Sequence, residues 1–145
     1  MSERPTNKRI LALDVGRRRV GSAISDALGI TAQGLESFEI KGTEDIVNRV
    51  RGYLKDFDIG SIVLGKPLKL DGSPTHSSGI VAKIKVELET KLGIPVSLYD
   101  ERFTSKIAQQ SLHQSGRSLR KNKNLLDMTS AVIILTDYLN NHAQR

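Results

Sequence analysis

Three sets of carboxylates stand where chemistry could use them. Asp14 closes an apolar stretch, Arg9 to Val15, that reads as a buried strand. A charge at the end of such a strand is costly unless something binds it. It can equally cap the turn at Gly16 or pair with one of the arginines that follow. Asp100-Glu101-Arg102 ends a second apolar run, and its plain reading is a solvated strand end with Arg102 as ion-pair partner. Asp127 heads a stripe with Ala131, Ile134 and Tyr138, so it lies at the start of an apolar helix face. Its plain reading is a first-turn Asp that suits the helix dipole, with Asn124 as N-cap. Together the three fit a more specific need. Hydrolysis of a phosphodiester calls for carboxylates that converge from separate elements. These hold one or two divalent ions, roughly 3.5–4 Å apart when paired, which activate water and stabilise the leaving oxygen.

The composition narrows the metal. The sequence has no Cys and only three His, at 76, 113 and 142, which argues against a thiolate or His-rich zinc site. Oxygen ligands remain, and they suit Mg²⁺ or Mn²⁺. The net charge of +6 favours a polyanionic partner, of which nucleic acid is the commonest. No apolar run approaches the roughly 20 residues of a membrane helix, and polar residues 1–8 read as a frayed end without a signal peptide. The expectation is a cytoplasmic protein with no membrane partner, its 145 residues forming a single domain.

The elements that must position these acids follow from periodicity. Residues 9–15 and 19–26 read as strands joined by a short turn, hence an antiparallel hairpin, and a third strand fits about 33–40. Thr43 can cap a helix that places Ile46, Val50, Tyr53, Leu54 and Phe57 on one face. Residues 61–64 read as a buried strand ending at Gly65, with a loop from Lys66 to Ser73. Ser73-Pro74 starts a helix with Ile80, Ile84, Leu88 and Leu92 on one face, stopped by Gly93. A strand over 96–99, a helix from Thr104 to near Gly116, a basic loop over 116–124 and a helix over 125–141 complete the chain. A meander followed by βαβα units predicts an α/β fold with one mixed five-stranded sheet and helices on both faces.

These motifs resemble the YqgF/RuvX family, whose fold is ribonuclease H-like. The resemblance covers about residues 9–140. It rests on Ala12 to Gly21 with Ser25-Asp26; Gly65-Lys66-Pro67 with Asp71-Gly72-Ser73; Asp100 to Ser105; and Asp127 leading Ser130-Ala131. It implies a nuclease that processes the 5′ end of pre-16S ribosomal RNA, with Holliday junction resolvase as the older label. It also implies Asp14, Glu101 and Asp127 as catalytic, metal-holding acids, with Asp100 as a substitute for Glu101. One departure stands out. Related enzymes usually carry an acid near the end of the fourth strand, where this chain has Gly65-Lys66.

Two basic clusters flank the acids: Arg17-Arg18-Arg19 after Asp14, and Arg117, Arg120, Lys121 and Lys123 before Asp127. In isolation each is a solvated loop. Beside an acidic centre they would hold a phosphate backbone, with Lys66 and Arg102 added from the strand ends. Gly16, Gly65 and Gly72 are read as turn residues. The expected partner is a ribosomal RNA precursor or the ribosome, or else branched DNA, with the protein a monomer or a weak homodimer. The missing fourth-strand acid also keeps open a non-catalytic RNA-binding module associated with the ribosome.

Overall fold

The computed structural model describes residues 8–16, 18–66, 76–100 and 123–142; for 76–78, 123–129 and 142 it describes the backbone alone. The strands are β1 (Arg9–Val15), β2 (Arg19–Ser25), β3 (Ala32–Glu39), β4 (Ile59–Lys66) and β5 (Val96–Asp100). The helices are α1 (Thr43–Asp56), α2 (His76–Leu92) and α3 (Lys123–His142). The helix expected over 104–116 lies outside the described residues. None of the described helices is long and apolar enough to cross a membrane.

The five strands form one sheet in the order β3-β2-β1-β4-β5. β1, β2 and β3 pair antiparallel, whereas β4 lies parallel to both β1 and β5. Parallel neighbours on both sides require crossovers, and α1 and α2 supply them. Both faces of the sheet are covered. Leu11, Leu13, Ile62 and Leu64 are buried against Ile46, Val47 and Val50 of α1 and Val81, Ile84 and Leu88 of α2. Ala12, Ala23, Val63 and Tyr99 meet Ala131, Ile134, Leu135 and Leu139 of α3 on the other side. Small strand residues on that second face let α3 approach closely.

Several boundaries differ from the sequence reading, for local reasons. Gly42, not Thr43, is the N-cap of α1, and no side chain caps it. Instead Asp45 folds back and its Oδ2 accepts the Lys41 N–H at 2.6 Å. β4 is longer than expected because β5 carries its pairing on through Gly65 and Lys66, beyond the last β1 pair at Leu13 and Leu64. Gly65 is thus a buried strand residue opposite Tyr99, not a turn residue. The buried stripe of α2 runs through Val81, leaving Ile80 46% exposed. α3 begins at Lys123, so Asn124 stands inside the helix and Asp127 falls beyond its first turn.

β3 reaches the core through a bulge. Val20 pairs with Phe38 and Ser22 with Leu35, so three steps on β3 match two on β2. Leu35 and Phe38 therefore both meet the α1 side. At the far end of the meander, Asp26 Oδ1 accepts the N–H groups of Ile30 (2.7 Å) and Thr31 (2.9 Å). Gly29 supplies the positive φ of 72° that this turn requires. The backbone bonds to Thr31 and Ile30 lower the Asp26 pKa from its ordinary 3.8.

Candidate active site

The parallel pairing brings the C-terminal ends of β1, β4 and β5 to one edge of the sheet, where the hairpin also delivers the start of β2. Alternation of side chains then decides which acids can meet. On β1, Ala12 faces α3 and Leu13 faces α1 and α2, so Asp14 stands on the α3 face. Its partner on β2 is Gly21. Leu13 pairs with Leu64, which puts Gly65 next along β4 on the other side. Gly65 shares the face of Val63, and Tyr99, level with it on β5, shares that face too. One row on the α3 face thus reads Gly21, Asp14, Gly65, Tyr99. The half-buried carboxylate of Asp14 has a residue without a side chain on each flank.

Asp100 stands elsewhere. Val96 and Leu98 belong to the α1 and α2 face, so Asp100 continues that face. Its cross-strand neighbour there is Lys66, of opposite charge. Glu101 and Arg102 lie outside the described residues. The backbone of Asp127 is in α3, one helical turn before Ala131, which is fully buried on the α3 face of the sheet. The side chain of Asp127 lies outside the description. Among the described residues no three His, Asp or Glu side chains gather to hold a metal.

Gly16 turns the chain after Asp14, its N–H donating to the Arg19 carbonyl at 2.8 Å. A Cβ there would lie 3.0 Å from that oxygen, which explains the glycine. Arg19 is committed along the strands, donating to Ser37 Oγ at 2.9 Å and to Glu39 Oε2 at 3.2 Å. Arg18 is exposed. Arg17, Gly72, Arg117, Arg120 and Lys121 lie outside the described residues, as does the side chain of Lys123. Asp26, part of a sequence motif, sits at the opposite end of the sheet and shapes a turn.

The family profile described as "RuvX: Holliday junction resolvase" matches residues 8–141. The chain belongs to the RuvX family. A "Putative pre-16S rRNA nuclease" of Dictyoglomus thermophilum is 43% identical over 131 residues, covering 90% of this chain and 94% of that protein. One of the same description from Koribacter versatilis is 41% identical, covering 90% and 86%. The fold is also similar to that of T. thermophilus RuvC in complex with Holliday junction substrate, with a TM-score of 0.56 at 15% identity, covering 94% and 96%. The Fowlpox virus resolvase in complex with Holliday junction DNA gives 0.57 at 15% identity, covering 92% and 97%. At that identity the likeness concerns the fold. The five-stranded mixed sheet is that of the ribonuclease H-like resolvases.

Proposed function

We propose that this chain is a metal-dependent nuclease acting on ribosomal RNA precursors at the 5′ end of pre-16S RNA. The observation that carries the reading is the row on the α3 face, where a half-buried carboxylate stands between Gly21 and Gly65 at the sheet edge. A carboxylate so placed can take part in holding an ion at the sheet edge, and the names of the family relatives point to RNA. The donors are all oxygen, which fits Mg²⁺ or Mn²⁺. Asp14, Glu101 and Asp127 are the proposed ligands. Asp100 falls on the other face beside Lys66, which supports Glu101 over Asp100 as the second acid. When bound, the ion would lower the pKa of a water and neutralise charge on the phosphate. The chain's own part is to hold the acids in register and to seat the substrate backbone. The cations proposed for that task are Arg17, Arg18, Arg19, Lys66, Arg102, Arg117, Arg120, Lys121 and Lys123. The test is hydrolysis of a pre-16S 5′-leader RNA with Mn²⁺, wild type against Asp14→Asn. Equal activity in the two would sink the reading.

A second reading is favoured by the description of the family profile and by the two resolvase folds. A Holliday junction resolvase makes paired cuts and so needs two active sites, hence a dimer. Sedimentation with and without junction DNA separates the two, since a strict monomer under both conditions counts against the resolvase.

A further inference from the structure

On the α1 side of the hairpin turn, an open groove of about 1180 Å³ lies between the start of β2, the end of β3 and the first half of α1. It belongs to the same edge of the sheet as Asp14. Asp14 pairs with Gly21 of β2, Arg19 pairs with Glu39 at the end of β3, and the Ile40 N–H donates to the Arg18 carbonyl at 2.7 Å. Two strand spacings separate β1 from β3, roughly 10 Å, and the groove opens on the sheet face opposite Asp14.

Four cations line this groove: Arg18, Arg19, Lys41 and Arg49. Its two acids are engaged. Glu39 is taken by Arg19 at 3.2 Å, and Asp45 Oδ2 accepts the Lys41 backbone N–H. Arg18, Lys41 and Arg49 are exposed and form no ion pair among the described residues. Three like charges in one concavity repel unless an anion joins them. Arg49 is also held in place, its guanidinium 4.6 Å from the centroid of the buried Phe38 ring. Stacking fixes the plane of the guanidinium and leaves its edge for a bidentate phosphate contact. The groove is too open and too polar for a small apolar ligand.

We propose that this groove is a second substrate contact, holding the sugar–phosphate backbone of the polynucleotide away from the bond that is cut. Arg18, Lys41 and Arg49 make the phosphate contacts. The proposal rests on the nuclease reading and adds a place for the flanking strand, one that no acid of the site supplies.

Binding is measured by fluorescence anisotropy in EDTA, with a labelled pre-16S leader RNA and a DNA of the same sequence, over a range of salt. The variants are Lys41→Gln/Arg49→Gln and, as a control on the exposed side of α2, Lys83→Gln. The double variant is expected to bind on the order of tenfold more weakly. Its slope of log K against log salt should fall by about 0.7–0.9 for each cation removed. Lys83→Gln should match wild type. Loss on both polymers assigns the groove to the shared phosphate chain, and loss on one alone assigns it to that polymer. Since Arg49 covers Phe38, a thermal melt accompanies each titration, and Lys41→Gln alone keeps half of the slope change without touching the ring. Wild-type affinity and slope in the double variant overturn the groove while leaving cleavage at Asp14 standing. If wild-type protein binds neither polymer, the nuclease reading falls as well.

Discussion

Replacing Gly65 by Ala places one methyl group in the row that carries Asp14. Leu13 pairs with Leu64, and Asp14 and Gly65 are the next residues of two parallel strands, both on the α3 face. Adjacent strands run about 4.8 Å apart, so the new Cβ stands at about that distance from the Cβ of Asp14. An ion on the Asp14 carboxylate would lie about 2.1 Å from its oxygen, with coordinated water a similar distance beyond. The methyl group would therefore crowd any water held there. Disturbing the immediate surroundings of a metal ligand typically costs about 10–100-fold. That corresponds to about 1.4–2.7 kcal/mol on the barrier. The strand itself should gain, because Gly in a strand interior is roughly 0.5–1 kcal/mol worse than Ala. The assay is single-turnover cleavage of a pre-16S leader RNA with Mn²⁺, beside a thermal melt that separates a lost site from a lost fold. A variant with the wild-type rate and an undiminished Tm refutes the claim that the glycine keeps space for the reacting groups.

Other substitutions probe the remaining parts. Asp14→Asn is expected to abolish the heat of Mn²⁺ binding in calorimetry and to lower cleavage by at least about 100-fold. Glu101→Gln should cost far more activity than Asp100→Asn in the same cleavage assay, because Asp100 shares its face with Lys66. Ile134→Ala, at a position 1% exposed, should lose about 2–5 kcal/mol in urea denaturation, and the half-buried Ile133→Ala clearly less. Asp26 has a lowered pKa, so its contribution is present above 3.8 and disappears as pH falls through the depressed folded value. The Tm gap between wild type and Asp26→Ala should accordingly be open at neutral pH and close on acidification below that range.

Element types and order could be read from the chain because periodicity is a local property. Both faces of β1 are buried, and its run of apolar residues announced that. The limits of β4 could not be read, since Gly65 and Lys66 look like a turn until β5 pairs with them. The bulge in β3 was equally hidden, because Leu35 and Phe38 break strict alternation and only the partner strand explains how both reach the core. Among the acids, Asp14 was legible as a charge ending a buried strand. The face taken by Asp100 was not, because it depends on how β5 packs once two helical layers have closed. The cations Lys41 and Arg49 left no trace as a motif. One follows a strand and the other lies on the exposed side of a helix, and only the turn at Gly42 makes them neighbours of Arg18.

The parallel placement of β4 and β5 has a consequence for when the site can exist. The meander is made of contacts close in sequence and can form early, but of the proposed site acids it carries Asp14 alone. The partners of that acid arrive over long loops: Gly65 some fifty residues later and the end of β5 later still. Closing such loops is slow relative to local pairing. A nascent or partly unfolded chain would thus present basic surface and a hairpin with no means of cutting what it holds. Nuclease competence and global folding are coupled by topology, which would spare a bound polynucleotide from a half-made enzyme.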